Sequence, residues 1–261
     1  MEVTMKKSIK KVIIIITLGS TLIIILSLII SLLSPITLGA IYFRIKYPKH
    51  KADYLYLTPK KINIDANLNK SNECSDINIY GIKIKVPWEI KFSKDMGEST
   101  MYYMVNGLGV IVQDDVYEEF EFDILSYFDS ETQKKITQLY GENIIRSEYL
   151  LKLKVLNTTP DKIPIFSLNN KEFVNVSLLS QKDMALVMDG REGIYNFDNK
   201  KIKGFIYGVP GESDSLCIEI YDNSEKHNYN IAILEKTNSL DEVIQIISSF
   251  EILENENNTS K

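Results

Sequence analysis

The residues best able to form a catalytic centre lie close in sequence to one of the two histidines, His227. The chain has two histidines, His50 in a basic stretch and His227 in a polar turn. With His227 as general base, Ser224 or Cys217 could act as the nucleophile and Asp222 could orient the imidazole. Turn residues lie close together whatever their role, and the sequence holds no nucleophile-elbow, phosphate-loop, dinucleotide-binding or Cys-x-x-Cys motif. We therefore predict a domain that is not an enzyme, with a hydrolase using His227 as the alternative.

A run of carboxylates is a second candidate for chemistry, as a calcium site. The run consists of Asp114, Asp115, Glu118, Glu119, Glu121 and Asp123. Ca²⁺ prefers carboxylate oxygens, but a dedicated loop spaces its Asp and Asn ligands around a glycine, which this run lacks. Val116, Phe120 and Phe122 interleave with the acids, as in a strand with one solvated face. We therefore predict neither a bound metal nor a cofactor.

Three aromatic side chains are candidates for a binding surface, namely Trp88, Tyr102 and Tyr103. Aromatic residues are enriched at binding hot spots. Packing in the core is the alternative for all three, and it is the expected role of Trp88. The two cysteines, Cys74 and Cys217, could form one disulfide in an oxidising compartment. Two partly buried thiols are the alternative, since a domain of this length can bury enough core without a staple.

An uncharged, apolar run extends from Val12 to Phe43. Residues 12 to 33 of this run include nine Ile and six Leu. A helix of roughly 20 apolar residues crosses a hydrocarbon core about 30 Å thick. A cleaved signal peptide is the alternative, but its apolar region is normally about 7 to 15 residues long. We therefore predict an uncleaved, single-pass transmembrane helix with an interfacial end over residues 12–43, in contact with membrane lipid.

This predicted anchor implies a location and a contact surface. Long domains translocate largely regardless of charge, whereas an N-terminal tail with four lysines tends to stay in the cytoplasm. We therefore expect a cell-membrane protein with a cytoplasmic N-terminus and an extracytoplasmic C-terminal domain. A stripe of small polar residues along the helix could contact another helix, and bonding back to its own carbonyls is the alternative. The stripe consists of Ser20, Ser27, Ser31 and Ser34.

The charge distribution bears on the kind of partner. All but one of the 35 acidic residues follow residue 51, together with 22 of the 30 basic ones. Nucleic-acid binding needs a Lys/Arg surface, so this acidic domain is not expected to bind nucleic acid. The scarcity of Arg and Ala beside abundant Lys, Asn and Ile is typical of an AT-rich, bacterial genome. We predict a membrane-anchored, non-catalytic binding or assembly module for another envelope protein, with a structural subunit of a membrane complex as a further alternative.

The rest of the chain changes between strand-like and helix-like patterns. Period-two alternation predicts strands at 82–86, 89–92, 109–113, 116–122, 193–197, 202–207, 216–221 and 229–234. Helical spacing predicts helices at 130–140, 147–155, 170–181 and 239–250, with capping boxes at Ser130/Gln133 and Ser239/Glu242. This order predicts an α+β domain with an antiparallel sheet flanked by helices. The expected organisation is a basic tail 1–11, the anchor 12–43, a stalk 44–76, the α+β domain 77–253 and a disordered tail 254–261.

Two segments of this domain are similar to a known group of proteins. Residues 79–93 read IYGIKIKVPWEIKFS, and residues 239–252 read SLDEVIQIISSFEI. They resemble the opening strand, with its Pro and Trp, and the closing helix, ending in Ser-Phe, of the Mog1/PsbP/DcrB-like α/β/α sandwich group. The matching positions are Pro87, Trp88 and Phe250. The resemblance implies an antiparallel sheet with helices on both faces and a binding or assembly role rather than catalysis.

Overall fold

The computed structural model of the chain describes residues 23, 53–64, 74–114, 124–163, 170–189, 192–199, 201–222, 228–235 and 239–253. These residues form two β-sheets and a layer of helices. The arrangement is α+β with flanking helices, as the order of the patterns predicts.

An eight-stranded sheet lies at the centre of the fold. In spatial order its strands are β1 (Lys60–Lys61), β7 (Ile194–Asp198), β8 (Ile202–Tyr207), β9 (Ser215–Asp222), β10 (Asn228–Leu234), β6 (Gly109–Asp114), β5 (Ser99–Met104) and β4 (Ile90–Asp95). Strands β7 to β10 form an antiparallel meander. Strands β4 to β6 form a second antiparallel group, which joins the meander where β6 pairs with β10.

The prediction of one antiparallel sheet is wrong in two respects. First, β1 runs parallel to β7, with Lys60 opposite Tyr195, so the large sheet is mixed. Second, a separate three-stranded sheet has the order β11 (Glu251–Ile252), β3 (Ile82–Val86) and β2 (Ser75–Ile79). Strands of two residues, such as β1 and β11, are too short to show a period of two, and this is why the sequence pattern missed them.

The main hydrophobic core lies between the large sheet and a layer made of the small sheet and helix α6 (Leu240–Ser248). Alternate residues of each strand enter this core, because side chains of a strand point to opposite faces in turn. Its fully buried members include Ile84, Ile206, Ile218, Ile231 and Ile247. Gly204 is required in β8, since a Cβ atom there would come within 2.0 Å of the Glu219 carbonyl oxygen.

Helices cover the opposite face of the large sheet over strands β7, β8 and β9. The helices that pack on the sheet are α1 (Asp53–Tyr56), α4 (Glu148–Leu156) and α5 (Asn170–Asp189). Helices α2 (Ser130–Tyr140) and α3 (Glu142–Ile145) pack against α4 and α5, and a 3₁₀ turn lies at Pro160–Lys162. Leu156 and Leu186 of this layer pack with Phe205 and Tyr221 of the sheet. The helices also bury a core of their own, which includes Ile136, Val155 and Leu178.

The prediction of a transmembrane helix, and with it a single-pass protein in the cell membrane, is contradicted. Among the described residues, no helix is both long and apolar enough to cross a membrane. The longest, α5, has 20 residues but contains charged side chains such as Lys171, Lys182 and Asp183. Apart from Ile23, the predicted segment 12–43 lies outside the described residues, as do the tails 1–11 and 254–261. The predicted cytoplasmic N-terminus and extracytoplasmic domain lose their support with the helix.

The segment predicted as a stalk contributes folded elements. The Tyr54 hydroxyl of α1 donates to Asp183 Oδ1 of α5 at 2.8 Å. Strand β1 belongs to the large sheet, and the expected domain start at Ile77 falls inside β2. The structured part of the chain therefore includes residues 53–64, before that boundary.

Candidate functional site

One face of the large sheet is covered unevenly. Over β7 to β9 the helices bury Phe205, Tyr207 and Tyr221. Cross-strand pairing continues the same face onto β10, β6, β5 and β4, where the side chains are only partly buried or exposed. We call this region the open apolar patch; it consists of Phe92, Met101, Tyr103, Ile111, Ala232 and Leu234. A face that is buried on one half and partly exposed on the other is typical of an interaction surface.

An aromatic pair lies at the end of this patch. Phe92 and Tyr103 face each other across β4 and β5, and their rings stack with centroids 4.4 Å apart and planes inclined by 20°. Phe92 remains 50% exposed. Stacked cross-strand aromatics stabilise a hairpin and offer a flat apolar surface to a partner. Phe92 lies between the polar residues Lys91 and Ser93, and this position could have indicated an exposed aromatic side chain on a strand. The predicted binding surface of Trp88, Tyr102 and Tyr103 does not include it.

The structure does not bring the three predicted surface aromatics together. Tyr103 belongs to the open apolar patch, whereas Tyr102 points to the other face of β5 and packs against the main core. Burial, and then the neighbouring Tyr80, raises the pKa of Tyr102. Trp88 is buried in the main core at 6% exposure, which is the alternative role considered for it. Its indole Nε1 has no hydrogen-bond partner in the described part of the chain.

Strand β4 forms one edge of the large sheet, and residues 91 to 98 are exposed. The Met96 N–H donates to the Ser99 carbonyl at 2.9 Å across a two-residue loop. Hydrogen-bonded and non-hydrogen-bonded pairs alternate along an antiparallel ladder, so Ser93 and Asp95 direct their backbone groups away from β5. Such an edge is a template on which a further strand can pair.

A buried carboxylate lies on the covered half of the same face. Glu219 is 5% exposed, and Lys152 Nζ of α4 lies 2.6 Å from its Oε1. The Tyr221 hydroxyl donates to Oε1 at 2.5 Å, the Asn228 amide donates to the same oxygen at 3.2 Å, and the Tyr207 hydroxyl donates to Oε2 at 3.1 Å. Burial alone would raise the pKa of Glu219, but the Lys152 ammonium and these hydroxyls outweigh it and lower the pKa. Both carboxylate oxygens are therefore engaged by neighbouring side chains.

A second buried charge holds the helical layer together. Lys182 of α5 is 0% exposed, and its ammonium donates to the carbonyls of Leu57, Leu156 and Thr158 at 2.6, 2.8 and 2.9 Å. The Leu156 carbonyl belongs to the last residue of α4, and the Leu57 and Thr158 carbonyls follow the ends of α1 and α4, where helices leave acceptors without partners. Burial, and then the nearby Lys162, lowers the pKa of Lys182 to about 7. The lysine thus joins three segments that are far apart in the sequence.

The structure describes only some of the residues predicted to form a catalytic centre around His227. His227 and Ser224 lie outside the described residues. Cys217 is partly buried on β9, and Asp222 ends that strand. Cys217 and Cys74 form no disulfide, although the structure describes both positions.

The acidic run and the serine stripe lie mainly outside the residues that the structure describes. Of the acidic run, only Asp114, at the end of β6, is described, and the rest lies within 115–123. No cluster of three potential His, Cys, Asp or Glu ligands occurs in the described ranges. The serine stripe, Ser20, Ser27, Ser31 and Ser34, also lies outside them.

Comparison with known proteins found no relative: no protein-family model, no curated protein and no solved structure matches the chain. The resemblance to the Mog1/PsbP/DcrB-like group therefore stays a prediction.

Proposed function

We propose that this domain is a non-catalytic binding or assembly module that holds an extended segment of a partner protein along strand β4 and over the open apolar patch. The observation that carries the proposal is the uneven cover of one sheet face. Helices bury its aromatic residues over β7 to β9, while Phe92 stays half exposed next to a sheet edge. Strand addition uses both features, since backbone groups of the edge supply affinity and side-chain contacts supply specificity.

The patch and the edge are adjacent, which favours an extended partner over a small molecule. Tyr103 and Met101 on β5 flank Phe92 and Lys94 of the edge strand, with Phe92 directly opposite Tyr103. A strand added beyond β4 would lie within reach of the Phe92 ring. Small-molecule sites are instead concave and enclose most of their ligand. The acidic character of the domain disfavours nucleic acid, so a protein segment is the partner that fits.

The buried charges support binding rather than catalysis. A catalytic carboxylate or amine needs access to substrate, but Glu219 and Lys182 are 5% and 0% exposed and are saturated by neighbouring groups. Perturbed pKa values also arise at structural sites, and the contacts of Glu219 with Lys152 and of Lys182 with three backbone carbonyls support such a structural role. The functional surface proposed is therefore the exposed one, on β4 and β5.

A selection from a phage-displayed peptide library tests the proposal. Peptides are selected on the full-length protein, and the dissociation constant of a selected peptide is measured for the wild type, Phe92→Glu and Leu139→Glu. Leu139 is the matched control, because it is also an exposed apolar residue, at 38%, but lies on α2. Phe92→Glu is expected to weaken binding by about 30-fold, the effect of removing a hot spot of about 2 kcal/mol. Leu139→Glu is expected to leave the dissociation constant unchanged.

Equal affinity of the peptide for both variants would place the binding site elsewhere and overturn the proposal. Thermal melts of the two variants serve as a folding control. Leu139→Glu is expected to melt close to the wild type. Phe92→Glu loses the stacking on Tyr103 and is expected to be less stable by about 1 kcal/mol, which leaves the domain folded.

A further inference from the structure

We infer that the partner of strand β4 is a second copy of this chain, with the two β4 strands paired antiparallel about a twofold axis at Ser93. The inference rests on the proposed function and deepens it by naming the partner. Symmetric pairing of one edge with itself is an isologous contact, the commonest type in homodimers. It would extend the eight-stranded sheet of each copy across the axis.

Backbone direction limits the registers that such a pair can adopt. Ser93 and Asp95 direct their N–H and C=O groups outward, whereas Lys94 faces β5 across its pair with Met101. A twofold axis at Ser93 places the outward groups of Ser93 opposite each other. A twofold axis at another residue of the strand, such as Lys94 or Phe92, also aligns outward groups, and an axis at Lys91 or Asp95 would set like charges opposite each other. Charge must therefore decide among these registers.

Charge complementarity favours only the axis at Ser93. By sequence position this register sets Lys91, which lies in the register shift between Ile90 and Phe92, opposite Asp95 of the other copy, twice by symmetry. It also sets Lys94 opposite Phe92. Opposite charges and cation–aromatic pairs facing each other across strands are favourable. An axis at Lys94 would oppose two Lys94 side chains, and an axis at Phe92 would oppose Glu89 and Asp95. Like charges directly opposite are destabilising.

The competing explanation of Lys91 and Lys94 is protection of an exposed edge. Natural sheets place lysines and bulges on edge strands to prevent association, and β4 has a register shift between Ile90 and Phe92. Protection alone requires no acid at a complementary position. Lys91 lies two residues before Ser93, and Asp95 lies two residues after it. Two opposite charges at equal distances from the axis residue are what self-pairing needs.

Disulfide trapping at the axis tests the inference in the full-length protein. Ser93→Cys is introduced into a chain carrying Cys74→Ser and Cys217→Ala, and disulfide-linked dimer is followed under mild oxidation. A hydrogen-bonded antiparallel pair has Cα atoms about 5.5 Å apart, within the range of about 4.4 to 6.8 Å that disulfides span. Met184→Cys in the same background is the control, since Met184 is 53% exposed on α5. Ser93→Cys is expected to form dimer at least about tenfold faster than Met184→Cys.

A charge exchange then tests the register. Lys91→Asp sets two acids opposite each other and is expected to slow trapping at Ser93→Cys about fivefold or more. Adding Asp95→Lys restores the opposite charges and is expected to restore the rate. Asp95→Lys alone is uninformative as a single change, because Asp95 Oδ1 also accepts the Gly97 N–H at 2.8 Å.

The inference is overturned if the Ser93→Cys variant forms dimer no faster than Met184→Cys. It is also overturned if Lys91→Asp does not slow dimer formation at Ser93→Cys. If the selected peptide still depends on Phe92 in that case, β4 binds another protein and the proposed function stands. If neither trapping nor peptide binding depends on β4, both proposals fail.

Discussion

At the residue scale, Glu219 of β9 and Lys152 of α4 form a buried ion pair. Alternation along β9 places Glu219 on one face with Cys217 and Tyr221, and this much follows from the sequence. Its cation comes from α4, 67 residues earlier, and no local pattern connects the two positions. The ion pair was therefore beyond sequence-based prediction, although the strand that carries it was not.

We predict that Lys152→Met costs about 3 to 5 kcal/mol of the free energy of unfolding, because it leaves a buried carboxylate without its cation. Adding Glu219→Gln removes that charge and is expected to recover a large part of the loss. Urea unfolding of the wild type, the single variant and the double variant measures both effects. A double variant as unstable as Lys152→Met would show that packing, rather than charge, is what Lys152 supplies.

Lys182 gives a prediction about pH. Its pKa is about 7 in the folded chain, against about 10.4 for an unperturbed lysine. At a pH between these two values Lys182 is protonated in the unfolded chain and largely deprotonated in the folded chain. The unfolded chain therefore binds more protons than the folded one, and this group raises the free energy of unfolding as the pH rises from 7 to 9. In Lys182→Met that contribution is absent. We expect the stability difference between wild type and Lys182→Met to grow over this range in urea melts, whereas a constant difference would show that Lys182 does not titrate there.

At the element scale, the segments with clear periodicity are predicted at the right places within the described residues, whereas β1, β2, β5 and β11 are missed. The predicted strand 116–122 lies outside the described residues. The predicted strands 82–86 and 202–207 match β3 and β8, and the capping box of Ser239 and Glu242 is present at α6. At α2 the cap is Asp129 rather than Ser130, and the Gln133 side chain instead donates to the carbonyls of Leu125 and Phe128. The predicted end of α5 at 181 was too early, because a single-sequence pattern fixes helix ends poorly where no Gly or Pro intervenes.

The omission of β5 is the error that matters for the site. Its sequence, STMYYM, has aromatic residues at adjacent positions and therefore no clear alternation. Without β5, Tyr102 and Tyr103 read as one surface, whereas the strand sends them to opposite faces. The pairing with β4 is what brings Phe92 to Tyr103.

Helix α6 should tolerate loss of its cap far better than loss of its apolar stripe. Ile244 and Ile247 are 7% and 0% exposed in the main core, and each change to Ala costs about 2 to 5 kcal/mol. Because native domains are stable by only about 5 to 15 kcal/mol, the double variant is expected to be largely unfolded. Ser239→Ala removes only the cap and should cost about 1 kcal/mol. Thermal melts compare the two, and similar small effects would show that α6 is not part of the core.

At the scale of the whole molecule, the sequence predicted an acidic α+β domain with helices beside a sheet, but not which part of the sheet is exposed. Exposure depends on where helices α4 and α5 dock, and they cover β7 to β9 rather than β4 to β6. Side chains of any strand point alternately to the two faces of the sheet, so a period-two pattern cannot distinguish a covered half from an open one. The open apolar patch and the β4 edge therefore emerged only from the assembled fold.

Amide hydrogen exchange along the sheet edges tests whether a strand pairs with β4. The full-length protein, kept dilute enough that two copies do not pair through β4, is compared with and without a saturating concentration of a selected peptide. Exchange is followed in residues 89–96 and in strands β1 and β2. Pairing of a strand with β4 predicts slower exchange at the outward amides of Ser93 and Asp95, because added ladder hydrogen bonds protect them. Strands β1 and β2 are expected to stay unchanged. Binding that leaves residues 89–96 unprotected, or that protects β1 or β2 instead, would show that the partner does not pair with β4.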